Sequence, residues 1–422
     1  MNFLVRWIEW RSFVAGLFTL VVATVARGQF DVPSHGGDGV FAPTASIEID
    51  LSKARLGNWD EPVPPGGDDH GPFAGRGIYD PAQWFIAFHY QSVNIPAGVI
   101  VTFKNHPKNP PVVWLVQGDV VINGQVSLSG RTGTTNGLHS VPGPGGFAGG
   151  RGSGAIFSGG FGPGGGGAGQ SEAQVAAVTN YGNSACFPLI GGSGGGANNT
   201  GNAWTSGGGG GAILIASGST VSINEPSGST PGGIQANGGW LTGYVGSYSY
   251  SGGGMIRLAA PVVAVLGRVE ARAFGGSQYD LRAGRIRIEA NTVLGSNFGS
   301  RFTIAQLGSE LRFTRDVSTP TVKVVSVNAS TFSQDPDSFV IRGWDPSLPS
   351  VPTTQIAVRL ECENVPANAT VVVYLRSTET PWATTLTATR ESGDDALSIW
   401  TVTGNLGIQE GRCTVQAKAT LP

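Results

Sequence analysis

The groups in this sequence able to do chemistry are its carboxylates, histidines, cysteines and clustered aromatic rings. Two carboxylates converging on an open face would support cleavage of a polysaccharide, directly or with bound calcium. Asp119, Glu225, Glu270, Asp280 and Glu289 fall at different positions of the repeating units described below, so no paired column is expected. Asp68-Asp69-His70 is the densest polar cluster, and its glycine-flanked setting reads as an exposed loop rather than a cation site. The five histidines, at 35, 70, 89, 106 and 139, sit in unrelated contexts and give no Ser/His/Asp set. His89, between Phe88 and Tyr90, is expected on one face of a strand. No glycine string ends in the Gly-Lys-Ser/Thr of a phosphate loop, and none carries the regularly placed Asp of calcium-binding nonapeptides. No catalytic residue, cofactor or metal ligand is therefore assigned.

The aromatic rings are more suggestive. Trp204, Trp240, Tyr244, Tyr248 and Tyr250 occur in glycine-rich connections rather than at alternating core positions. Exposed rings on loops are what sugars stack against, which makes these five candidate carbohydrate contacts; packing over a flank of the fold is the plainer alternative. Three cysteines are too few for a disulfide framework or a zinc cluster. Cys362 and Cys413 lie in strand-like runs of the same region and are a candidate pair, while Cys186 has no base beside it to make it a nucleophile.

These groups need elements to hold them, and composition narrows the choice. The 422 residues include 67 Gly and 26 Pro, yet 40% are hydrophobic and 13% charged, which fits neither collagen nor a charged disordered chain. With 26 Lys+Arg against 28 Asp+Glu and no basic run, nucleic acid is not an expected partner. Arg6 and Arg11 precede an uncharged run from Ser12 to Ala26 and the small-residue pattern ending at Gly28. That is the grammar of a secretory signal over residues 1–28, leaving Gln29 first, and no transmembrane span is expected in the mature chain. The expected address is extracellular or the cell surface.

Glycine then divides the rest. Residues 131–280 hold 43 of the 67 glycines and residues 318–422 hold five, placing a boundary near Asp316–Pro320. Before it, VVWLVQGDVVINGQVSLSG at 112–130, GAILIASGSTVSINEPSGSTPGGIQANGG at 211–239, GMIRLAAPVVAVLGRVEARAFGG at 254–276 and GRIRIEANTVLG at 284–295 each open with a strand, turn, and continue into another. This repeat predicts an all-β, right-handed parallel β-helix over 29–316, its short coils stacking to bury Val, Ile and Leu. Residues 131–210 read as a glycine-rich insertion, expected to loop out loosely beside the helix because glycine buries no side chain and loses most entropy on ordering. The alternative is extended chains packed as in polyglycine II, needing glycine on crowded faces as collagen does. Beyond the boundary, seven short strands in 317–422 predict an immunoglobulin- or fibronectin-like β-sandwich.

HGGDGVFAPTASIEIDLS at 35–52, NIPAGVIVTFKN at 94–105, VQGDVVINGQVSLSG at 116–130, GGGGGAILIAS at 207–217, IQANGG at 234–239 and AGRIRIE at 283–289 follow one another in an order that resembles glycine-rich exported bacterial proteins. ENVPANATVVVYL at 363–375 is similar to the sandwich appended to several of them. The resemblance covers roughly 35–295 and implies a parallel β-helix and an exported address, but no site residue. The functional expectation is a secreted or cell-surface structural or adhesive protein, not an enzyme, meeting polysaccharide or other cell-envelope components. The competing classes are a β-helix polysaccharide lyase or glycoside hydrolase, and a phage-type tip adhesin built on packed glycine chains. Order within 131–210 distinguishes the last.

Overall fold

The computed structural model describes residues 30–61, 75–134, 138–153, 156–166, 184–197, 205–225, 232–240, 251–273, 283–295, 297–313, 318–331, 355–377, 383–405 and 413–422. The expected signal peptide, Asp68-Asp69-His70 and Asp280 lie outside them. The described residues are all-β apart from one 3-10 turn, Leu51–Lys53, and contain no helix long and apolar enough to cross a membrane.

Strands form where β-branched and aromatic residues are dense. Phe85–Ile95 and Met255–Val265, of eleven residues each, are the longest. Phe85–Ile95 pairs in parallel with Val112–Val116 through its first half and with Val120–Ile122 through its second. Met255–Val265 does the same with Ala212–Ser217 and Thr220–Ile223. Because Ala212–Ser217 also pairs with Val112–Val116 and Thr220–Ile223 with Val120–Ile122, the hydrogen-bonded path returns to its start. The result is a closed six-strand parallel barrel.

This corrects the right-handed β-helix solenoid. The strand-turn-strand repeat is present, but two long strands run straight through positions where a coil would corner, at Gln91-Ser92 and at Pro261, and they close a ring. A periodic alternation of short strands does not distinguish the two closures, because both bury the same alternate residues. Ile86, Trp114, Ile122, Ile213, Ile215, Val221 and Ile256 make the interior, each without measurable exposure. Arg285–Leu294 and then Arg301–Ala305 extend the wall in parallel register past the barrel.

A second parallel sheet, in the order Arg268–Glu270, Gly233–Gln235, Gln125–Ser127, Ile100–Lys104, Ile47–Asp50, lies in the same apolar cluster through Val269, Ile234, Val126, Val101 and Ile49.

The C-terminal part holds a five-strand antiparallel sheet, ordered Ser330–Thr331, Thr321–Val327, Gln355–Glu363, Leu397–Asn405, Thr389–Gly393, and a three-strand one, ordered Ala383–Thr387, Thr370–Ser377, Cys413–Thr420. Strict alternation in Gln355–Glu363 buries Ile356, Val358, Leu360 and Cys362 in a cluster shared with Val371, Val373 and Leu375. These sheets do not reproduce the expected seven-strand sandwich. Ala383–Thr387 and Thr389–Gly393, adjacent in sequence, belong to different sheets, and 332–354 lie outside the described residues. The expected Cys362–Cys413 bridge is not formed: Cys362 is a free buried thiol, and Cys413 opens a strand of the other sheet, opposite Ser377.

Candidate functional site

The described residues of 131–210 do not loop out loosely. Every described residue of 142–150, 190–197 and 205–211 is buried, although almost none has a large side chain. What they bury is backbone, and a buried peptide group must find a partner. The partners recur every three residues. Gly192, Gly195 and Gly207, Gly210 run antiparallel: Gly192 N donates to Gly210 O at 2.7 Å and Gly195 N to Gly207 O at 3.3 Å. Phe147 N donates to Gly192 O at 3.0 Å and Gly150 N to Gly195 O at 2.7 Å, a parallel pair in the same step. A step of three is the turn of a polyproline-II-type chain, about 9 Å long, and not the step of two of a strand.

The neighbours also outnumber those of a sheet. Residues 207–211 bond to 128–131 (Gly208 N to Arg131 O, 3.0 Å), 147 (Gly209 N to Phe147 O, 2.8 Å), 192–195, 239 (Gly239 N to Gly208 O, 2.7 Å) and 252 (Gly210 N to Gly252 O, 3.0 Å). A strand has two neighbours; this segment has bonds on all sides. Such an array has no room for side chains at its crossings. A Cβ on Gly209 would lie on the Gly192 carbonyl oxygen, far inside the 3.0 Å that real Cβ atoms keep, and one on Gly254 would lie on Gly211 O. The sharp reversals at Gly145 and Gly162 need glycine for another reason, a φ of +78° and +92°.

The second parallel sheet and the barrel wall together hold this array in place through continuous chain. Gln125–Ser127, Gly233–Gln235 and Arg268–Glu270 run outward into 128–134, 236–240 and 271–273. Segments 205–211, 251–254 and 283–284 run back into Ala212–Ser217, Met255–Val265 and Arg285–Leu294. The outward and returning segments are antiparallel, with Gly211 N on Leu128 O, Gly208 N on Arg131 O and Thr205 N on Thr134 O. Residues 134, 205, 240 and 251 therefore sit toward the end of the array away from the barrel, while 271–273 and 283–284 stay close to it, with Gly284 N on Ala271 O at 2.6 Å. At the far end Ser251 Oγ donates to Gly239 O.

Of the five aromatic candidates, one is among the described residues of this end. Trp240 is described and 46% exposed, bonded through its carbonyl to Gly133 N at 2.7 Å. Trp204, Tyr244, Tyr248 and Tyr250 lie outside the described residues, but each belongs to a connection whose described ends, Thr205, Trp240 and Ser251, are at this tip. Leu138 and Val141, at 65% and 51% exposed, join it; Val141 O accepts from Arg131 N, roughly 10 Å across the 128–134 segment from Trp240. Sequence reasoning missed these two. An apolar residue just before the Pro-Gly-Pro-Gly-Gly run is the signal that could have found them.

Elsewhere the reactive groups are committed to structure. Glu270 is buried, with Arg272 Nη2 at 2.9 Å and Arg268 Nε at 3.3 Å. Burial alone would raise the Glu289 carboxyl, but bonds from Arg257 (2.9 and 3.1 Å) and Arg287 outweigh it and hold it below its ordinary value. Asp119 and Glu225 are remote in register from both, so the barrel carboxylates form no pair. Asp50 is held at about 2, chiefly by Ser52 and then by Lys104. Desolvation, with the nearby charge of His35, lowers His89 to about 4; its ring stacks on His35 at 3.8 Å and its Nε2 lies 2.8 Å from Trp59 O. Burial pushes the Cys186 thiol up to about 11. A cavity of about 490 Å³ between Leu56, Trp59, Asp60 and Gln83 includes Asp80, but that carboxylate already accepts from the backbone of Trp59, Ala82 and Gln83 at 2.8–3.2 Å. Among the described residues no three His, Cys, Asp or Glu side chains converge as metal ligands. Comparison with known proteins finds no family model, curated protein or solved structure that matches the chain.

Proposed function

We propose that this chain is a secreted or cell-surface adhesive protein whose glycine array is a rigid mount and whose array tip is the contacting surface. The observation that carries this is the exposure of Trp240, Leu138 and Val141 on the glycine array, with Trp240 next in sequence to the connection that carries Tyr244, Tyr248 and Tyr250, and Thr205 next to Trp204. A backbone-packed array suits the task. Its shape does not depend on side chains, so the connections at its end can differ in sequence without altering the mount. Aromatic rings on such connections suit the apolar faces of sugar rings, which makes cell-envelope polysaccharide the partner class. The commitment of the barrel carboxylates to ion pairs supports a binding role over a hydrolytic one.

The test is a binding and turnover screen of the chain from Gln29 onward against neutral and acidic polysaccharides, with calcium present. Saturable binding without new reducing ends or unsaturated products is expected, about tenfold weaker in Trp240→Ala, with the melting temperature unchanged. Calcium-dependent cleavage, or binding indifferent to Trp240→Ala and to deletion of 241–250, would overturn the reading.

A further inference from the structure

The inward column of the wall continues in register from Ile256 and Leu258 to Ile286 and Ile288 and on to Phe302 and Ile304. The first four are buried; Phe302 and Ile304 are 48% and 50% exposed. Phe298 packs on Phe302 at 4.5 Å and still leaves it half open. Arg301–Ala305 ends the sheet order and pairs only with Arg285–Leu294, so its outer edge has no strand beside it among the described residues. The opposite end of the wall is finished differently. Gly39–Phe41 and the antiparallel Ile78–Asp80 both pair with Phe85–Ile95, and the Phe41 ring lies against Tyr90 and Trp114 at 5.2 and 5.8 Å. One end is capped, and the other stops with core residues uncovered.

An uncovered edge invites another strand, and the residues of this one specify which. Antiparallel pairing of Arg301–Ala305 with itself about Thr303 sets Phe302 opposite Ile304 and Arg301 opposite Ala305, so apolar meets apolar and no like charges face each other. A two-fold contact of this kind uses the edge of both copies and leaves none open, whereas addition of an unrelated strand exposes a fresh edge. We infer that two copies of this chain join end to end through Arg301–Ala305, each covering the open end of the other's apolar column.

Sedimentation velocity of the chain from Gln29 onward, from 1 to 100 μM, tests this. A dimer is expected, with Ile304→Arg shifting its dissociation at least tenfold toward monomer while the circular dichroism spectrum is kept. Thr303→Cys keeps the test independent of that variant's folding: opposite its own copy, the new thiol should give a covalent dimer under mild oxidation, much faster than Ser392→Cys in the C-terminal sheet. A monomer throughout the range, a dimer unmoved by Ile304→Arg, or equal cross-linking at the two cysteine positions would each overturn the inference.

Discussion

The barrel and the glycine array solve the same problem with opposite materials. In the barrel, Ile86, Trp114, Ile213 and Ile215 are buried and the backbone bonds run sideways to neighbouring strands, so apolar side chains fill the centre. In the array, residues 207–211 are equally buried with no side chain larger than hydrogen, and peptide groups themselves are the filling. The barrel draws on apolar area removed from water; the array draws on hydrogen bonds, each adding only about 1 kcal/mol net, against the larger entropy of glycine. Fixing the array through six continuous segments, three to the barrel wall and three to the second parallel sheet, supplies the ordering that glycine resists. A backbone-packed body therefore needs a side-chain-packed one beside it.

The seam between the two is where a single change should cost most. Segment 184–190, which links array segments, lies over the outer face of the wall, with Ser184 O accepting from Arg287 and the Phe187 ring 4.5 Å from the Arg257 guanidinium. Arg257→Ala leaves Glu289 buried with one partner fewer, an expected loss of about 4 kcal/mol in denaturant unfolding. A loss below about 1 kcal/mol would mean that the seam holds nothing. Within the two bodies, the prediction has opposite chemistry. Ile215→Ala removes carbons from the barrel and should cost about 3 kcal/mol; Gly209→Ala adds one carbon to the array and should cost a similar amount, about 3 kcal/mol, by forcing Gly192 O aside. Tolerance of Gly209→Ala would break the comparison outright.

Acid should also separate the two bodies. Segments 141–150, 191–197 and 205–211 contain no ionisable side chain, whereas His89 is held uncharged on the barrel wall, lowered to about 4. An unfolded chain protonates it near 6.5, so stability is complete above that pH and falls as the pH drops from 6.5 toward 4, by up to about 3 kcal/mol. Melting followed between pH 7 and 4 should show that slope, and His89→Gln should flatten it. An unchanged slope in the variant would assign acid sensitivity to another group.

How much of this could be read from residues follows the same division. All-β architecture and the alternation of Ile213 with Ile215 and Ile286 with Ile288 were legible, because side-chain periodicity reports which residues face inward. Ring closure was not, because it depends on two strands continuing past Gln91 and Pro261, where local turn chemistry points the other way. The order of 131–210 was only half legible. Glycine density admits both a loose loop and a packed array, and what decides is which chain lies against which, information that no side chain carries. The place of Trp240 beside Gly133 follows from that packing and was invisible for the same reason.

The smallest expected effect sharpens this most. Gly308 lies in the connection after Arg301–Ala305, has no left-handed φ, and a Cβ there would meet only the Glu310 backbone, O at 3.4 Å and N at 3.9 Å, both ordinary contacts. Alanine costs nothing in the folded chain at such a position and narrows the unfolded one, so Gly308→Ala should leave stability unchanged or raise it by about 0.5 kcal/mol. The same substitution then changes sign between Gly308 and Gly209. If both melt lower by similar amounts, glycine acts here through its composition alone and the array is not built on close backbone approach; if the signs differ, what the chain uses is the place of each glycine and not their number.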